Sequence, residues 1–397
     1  MPAFFNFIGT NADSIENHHD LWGGLLPQDR TSSAGTFQTE KGKGLSYGDY
    51  FTAAKSFLTD NHCQNLRKAL ARVLNQEIFN DAIDTVNLHL VKHGKYYHPT
   101  HVKVKTNKQE IEFVLNVAVS EEGQTIIEKE YNNLQRLNNE FPISFLPKVD
   151  TFGRITVSTG ASIKMFLGEW FHDHHEFHLS APLQNKDNER HVVVWDGNQT
   201  ILDEQQTLDL IQKASMILTF YYNPETFEQI FPWHHAAGDF VVKLKKNLLS
   251  LKLVTVRGYA PVGEGGTCLD SSSGSVKNML EALLFFFVHL SIRMRMDRTD
   301  GVGDLVLYGN SCIHAIVRGF FQGLNLVVSM RDYPDDFCSV VKTYLQALKR
   351  EEFIDLVSLF LKRYSRLENS KSRMRLDLFH HVDGLIEAIQ HAKIDAL

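Results

Sequence analysis

The chain has few cysteines, and they form no chemical arrangement. Cys63, Cys268, Cys312 and Cys338 lie far apart with no CxxC pair, which argues against a disulfide framework or a cysteine-based zinc site and fits a reducing, cytoplasmic setting. Positive charge is also short. With 41 Lys and Arg against 47 Asp and Glu, the formal net charge is −6, opposite to what a phosphate backbone or an anionic membrane attracts. Neither nucleic acid nor a membrane is therefore an expected partner. The most apolar run, Met279 to Met296, is broken by Glu281 and His289 and ends in Arg293 and Arg295, so it reads as a core helix and not a span. The opening residues have no basic segment followed by a long apolar one, so no secretory signal is expected. No internal repeat is visible. Two segments that resemble ion or phosphate loops lack the required spacing. Pro261–Ser275 is rich in Gly and Ser but has no P-loop lysine, and Asp297–Asp304, DRTDGVGD, has no closing glutamate of an EF-hand; both read as loops, the second as a solvated one.

What is present is an ordinary globular composition: 397 residues, 43% hydrophobic and 22% charged, enough for two or three cores. Residues 1 to about 50 are rich in Gly, Ser, Thr, Asn and Asp and read as a loosely docked leader. Helical spacing of Phe57, Leu66, Leu70, Val73 and Leu74 follows. Between Val86 and Val119 the apolar period becomes two, predicting an antiparallel meander of Val86–Val91, His101–Thr106 and Glu110–Ser120. The stretch Gly123–Asn139 then returns to helical spacing, with Glu130 inside the stripe of Ile126, Ile127, Leu134 and Leu137. Short strands over FLPKVDTFG and Ser162–Trp170 precede a mostly helical remainder, interrupted by a loop-and-strand region at Phe231–Ser275. The organisation expected is an extension with helices over 1–80, a small β-rich domain over 81–168 and a large helical domain over 169–397.

That order, carried by FVLNVAVSEEG, IEKEYNNLQRL, FLPKV, MFLGEW and WHHAAGDFVVK, resembles the protein-kinase-like superfamily, and within it the aminoglycoside and small-molecule phosphotransferase branch. The resemblance covers roughly residues 85–330 and implies an α+β, bilobal kinase-like fold, with a small antiparallel sheet lobe and a larger helical lobe. It further implies ATP or another nucleotide as cofactor. The family holds the nucleotide phosphates with a strand lysine, where this chain has Asn116, and pairs that lysine with a helix glutamate, which Glu130 matches. Glu169, in the hinge-like MFLGEW, falls among the nucleotide-contacting positions. Asp239 matches the aspartate that accepts the substrate hydroxyl proton, and His235 or His234 the histidine before it. The metal-ligand asparagine expected about five residues later is displaced, since the nearest is Asn247. Where the family has a magnesium-binding aspartate, the strand Leu251–Val256 runs into Arg257. An arginine there repels the metal, so a nucleotide would bind without magnesium, with Lys243 or Arg257 supplying charge. The glycine loop is reduced to Gly94 in HGKYYHP.

A second chemistry is offered by WFHDHHEFH, Trp170–His178. His174 and His178, spaced i and i+4, would share a helix face and suit a divalent metal. Three functions follow: a divergent phosphotransferase or pseudokinase binding a nucleotide or small polar ligand, a non-catalytic module whose C-terminal helices bind a protein, and a metal-dependent enzyme using the His172–His178 cluster.

Overall fold

The computed structural model describes residues 2–9, 13–27, 44–180, 191–235, 238–246, 248–261, 276–301, 303–331, 333–365 and 371–393. Its contacts divide the chain into two units, Met1–His172 and Asp173–Leu397. The structure is mixed α/β.

The first unit contains β1 (Ala3–Ile8), α1 (Tyr47–Leu74), β2 (Ile83–Leu90), β3 (His98–Thr106), β4 (Glu110–Ala118), α2 (Glu121–Glu140), β5 (Val149–Thr156) and β6 (Ser162–Glu169). The strands form one six-stranded sheet in the order β1-β2-β3-β4-β6-β5. The meander read from the period-two segments is present, and α2 follows it as expected. Two expectations are corrected. The sheet is mixed, because β1 pairs parallel with β2. The leader is not uniformly loose either: Phe4 and Ile8 pack against the core, and Leu26 and Leu45 are buried within it. The surrounding polar composition hides a six-residue strand whose apolar side chains need only one covered face.

α1 starts at Ser46, whose hydroxyl accepts from the Asp49 amide while Asp49 accepts from the Ser46 amide, a capping box that satisfies two orphan donors. It breaks at Asp60–Cys63, where Asn61, His62 and Cys63 take positive φ. Tyr50, Phe51, Phe57, Leu58, Leu66 and Leu70 of α1 bury against Val102, Val104, Phe113, Leu115, Met165 and Leu167. Complete burial of each such side chain is worth about 1.5–3 kcal/mol, so this layer dominates the unit. α2 serves the opposite face, where Tyr131 stacks on Phe152 at 5.3 Å and meets Phe166 at 5.9 Å.

The second unit begins with a three-stranded sheet of β7 (Phe177–Ser180), β8 (His191–Val194) and β9 (Thr200–Ile201). Next come α3 (Glu204–Phe220), β10 (Glu228–Ile230), β11 (Phe240–Lys245), β12 (Leu248–Leu253), β13 (Tyr259–Pro261) and α4 (Val276–Arg295). The chain continues through β14 (Met296–Arg298), β15 (Leu305–Leu307), α5 (Cys312–Met330), α6 (Phe337–Ala347), α7 (Arg350–Ser365) and α8 (Lys371–His391). β11 and β12 form a hairpin, and β10 with β13 and β14 with β15 form two short ladders. α3 and α5 approach closely because glycine leaves room. A Cβ on Gly319 would lie 2.1 Å from the Gln212 carbonyl oxygen, and one on Gly323 would lie 2.5 Å from that of Met216. The Ser215 hydroxyl donates across the contact to the Ile316 carbonyl at 2.8 Å. α5 has the length and apolarity of a membrane span, with much of it buried inside the unit.

Candidate functional site

The loop before β11 and the end of the β11–β12 hairpin carry the two residues that the sequence marks most strongly. Phe240 pairs with Leu253, and the Val254 amide donates to the Asp239 carbonyl at 2.7 Å. This register sets Asp239 and the chain that follows β12 side by side. The fully buried Asp239 takes Arg257 in bidentate fashion: Nη2 donates to Oδ1 at 2.6 Å and Nη1 to Oδ2 at 3.0 Å. Oδ2 also accepts from the His234 amide at 2.8 Å. Both carboxylate oxygens are thus committed to donors on their own chain, the strong geometry for a planar guanidinium. Gly238 has φ +66°, a backbone conformation that glycine adopts without strain, and it passes close to the Glu176 carboxyl. Ala236, Ala237 and Asn247 lie outside the described residues, as does the Gly- and Ser-rich loop after Pro261.

His235 is buried in an aromatic cage of Phe177, Trp233, Phe240 and Tyr308. Burial pushes its imidazole down from the ordinary value, and the facing Asp297 only partly opposes this. Burial, followed by the positive charge of Arg293, lowers His234 to about 3. Both rings are neutral at physiological pH, and neither donates to the Asp239 carboxylate, whose bond from residue 234 is a backbone one. Lys243 donates to Asp173 at 3.0 Å. The two cations proposed to meet a nucleotide therefore each hold a carboxylate.

The histidine-rich segment is not helical. After a turn it becomes β7, and His175 forms an isolated antiparallel bridge with Val242. The helical premise for His174 and His178 is corrected: the two rings go to different partners, His174 to the Ser250 hydroxyl at 3.3 Å and His178 to Asp297 at 3.9 Å and Glu176 at 3.8 Å. The helical reading fails because Phe177–Ser180 pairs with β8 through Val192, Val193 and Val194. Among the described residues, no group of three or more His, Cys, Asp or Glu side chains is placed to hold a metal ion.

Asp297 corrects the expectation of a solvated loop. Its fully buried carboxylate accepts from the amides of Leu179 at 2.9 Å and Arg298 at 2.7 Å, and from the Tyr308 hydroxyl at 3.3 Å. Burial alone would raise this carboxyl. The facing His178 and His235 and the two amides more than offset that, and hold it below the ordinary value. The sequence marked the segment only as a loop, and could not show this burial because one of its amide donors, Leu179, lies 118 positions away.

In the first unit, Asn116 is buried on β4 opposite Pro99 and Phe166. Glu130 is fully buried on α2 with Ile127, Leu134 and Leu137, as its place in the apolar stripe implies. On the same helix, the exposed Glu128 pairs with Lys164. The Glu169 carboxylate accepts from the Lys148 amide at 3.1 Å. The loop at Gly94 is closed on itself: a Cβ on Gly94 would lie 2.4 Å from the Tyr97 carbonyl oxygen. Near it, His93 lies 3.3 Å from both the buried His98 ring and the Tyr47 hydroxyl. Arg72 of α1 forms a bidentate pair with the buried Asp150, at 2.6 and 3.0 Å, which periodicity could not reveal.

The sequence matches no protein-family model and no curated protein. Solved structures similar to it include WaaP in complex with acyl carrier protein, at 6% identity and TM-score 0.26 over 61% of this chain and 85% of that one. A microcompartment-associated aminopropanol kinase matches at 10% identity and TM-score 0.30 over 81% and 95%. A candidate fructosamine-3-kinase from Haemophilus somnus matches at 10% identity and TM-score 0.24 over 82% and 96%. At these scores the likeness carries no argument about chemistry.

Proposed function

We propose that this chain is a kinase-like protein that has exchanged magnesium-dependent phosphoryl transfer for an internal ion pair, and so serves as a pseudokinase that binds a small polar ligand. The observation that carries this reading is the Asp239–Arg257 pair, with both oxygens of a fully buried carboxylate engaged by one guanidinium. A proton-accepting aspartate must present a free oxygen to the substrate hydroxyl, and a magnesium site needs oxygen ligands at close to octahedral geometry. Neither demand fits Asp239 as it stands. The residues present do not fit magnesium. A guanidinium supplies the positive charge that the buried carboxylate requires, and removing one partner of such a pair leaves a charge without compensation. The kinase-like part of the reading is supported by the order of elements and by Glu130 at the predicted place on α2.

The test is to replace the internal cation. Arg257→Asp places two carboxylates where the pair now sits, and the expected outcome is manganese binding at least tenfold tighter than in the wild type, followed by Mn2+ electron paramagnetic resonance. The same variant carrying Asp239→Asn should lose that gain. Equal manganese binding by wild type and Arg257→Asp would refute the exchange.

A further inference from the structure

The hairpin that positions Asp239 carries a second feature at its other end. Residues 240–263 contain Lys243, Lys245, Lys246, Lys252 and Arg257 and no Asp or Glu, a basic run inside a chain whose formal net charge is −6. Toward the base of the hairpin that charge is answered, since Arg257 holds Asp239 and Lys243 holds Asp173. At the tip, Lys245 and Lys246 are exposed. Six residues of extended strand put Lys245 about 20 Å from Asp239, beyond a screening length of about 8 Å. The whole-chain charge that argues against a membrane therefore does not govern this tip.

The ladder register adds an apolar element. Phe240, Val242, Leu251 and Leu253 share one face of the hairpin and are buried. On the other face Lys245 stands directly opposite Leu248, because paired residues of an antiparallel ladder project to the same side. Leu248 is 77% exposed, more than any other large apolar side chain among the described residues. An exposed leucine on its own is ordinary. Set against exposed lysines at the end of a hairpin, it completes the two parts that an anionic interface recognises: positive charge for the headgroups and an apolar side chain to insert. A nucleic-acid backbone would use the lysines but not Leu248, and residues 243–250 include no aromatic ring on which bases could stack.

We propose that the tip of the β11–β12 hairpin docks the protein on an anionic lipid bilayer, with Lys245 and Lys246 at the phosphate headgroups and Leu248 inserted toward the acyl chains. Leu244 and Leu249, half-buried and paired with each other on the opposite face, back the tip from behind. Two lysines and one leucine make a weak contact that salt weakens further. Such a contact concentrates the protein at a surface and does not anchor it there. The inference uses neither member of the Asp239–Arg257 pair, so its failure would leave that reading intact.

The experiment is co-sedimentation of the full-length chain with sucrose-loaded vesicles of phosphatidylcholine, alone or with about 30% phosphatidylserine. At low salt at least fivefold more protein should sediment with the anionic vesicles, and the excess should vanish in about 0.5 M salt. Lys245→Glu combined with Lys246→Glu should remove the excess. Lys108→Glu combined with Lys277→Glu makes the same change in net charge at two other exposed lysines and should leave it. Leu248→Ser should reduce the excess at least threefold, and Leu248→Trp should show an emission blue shift on anionic vesicles only. All five substituted positions are exposed, so each variant should melt within a few degrees of wild type. The proposal is overturned if anionic vesicles carry down no more protein than neutral ones, or if the Lys245 and Lys246 double variant binds as wild type does. It is equally overturned if Leu248→Ser leaves binding unchanged, which would make the tip a contact for polyanions such as nucleic acid.

Discussion

At the scale of single residues, the fold places several histidines where a proton is unwelcome. His234 and His381 are each lowered to about 3, in both cases by burial first and then by a neighbouring arginine, and His101 to about 4, again chiefly by burial. The unfolded chain takes these protons near 6.5, the ordinary histidine value. Between those limits the unfolded state binds more protons than the folded one, so stability rises with pH across the interval. Above about 6.5 both states are neutral and the effect is absent. Chemical denaturation midpoints should therefore fall steadily as pH drops from about 6.5 toward 4, and replacing His381 with Gln should flatten that slope. A midpoint unchanged over the interval would contradict the buried, neutral assignment. The sequence singled out Asp239 and Arg257, yet gave them opposite tasks, one as a base and one as a phosphate contact. Their union depends on a hairpin register that brings positions 18 apart together, and periodicity does not encode which charged side chains such a register aligns.

At the scale of elements, α3 and α5 show how much a close helix contact depends on an absent side chain. Gly319 faces the Gln212 carbonyl, and Gly323 faces that of Met216. Backbone atoms cannot yield as a flexible side chain does, so a methyl at Gly319 must push the helices apart. Gly319→Ala is expected to cost about 1–3 kcal/mol despite the better helix propensity of alanine. Denaturant titration checks it, and a stabilised variant would mean that the two helices do not pack as described. The helices and the strands of the first unit from β2 to β6 were legible because each carries its own period: α2 keeps Ile127, Leu134 and Leu137 on one stripe, and β4 alternates from Ile111 to Val117. β1 was missed because six residues within a polar stretch give too little pattern to outweigh composition. The helix face expected for His174 and His178 fails because Phe177–Ser180 is strand β7, whose buried Phe177 and Leu179 and ladder partners in β8 are not marked by the histidine spacing.

At the scale of the whole molecule, the passage from a sheet-forming segment to a mostly helical one was legible in outline, because a change of hydrophobic period from two to 3.6 is a property of long segments. The chemistry was less legible, because it lies in pairings that cross segments: Arg72 with Asp150, Trp170 with His101, and Asp297 with the Leu179 amide. The central claim is that Arg257 answers the charge of Asp239 in place of a divalent cation. Titration calorimetry of the wild-type chain with ATP, in the presence and absence of magnesium chloride, tests it most directly. The account predicts that magnesium adds no binding heat and no affinity; low-micromolar binding of ATP that requires magnesium would contradict it.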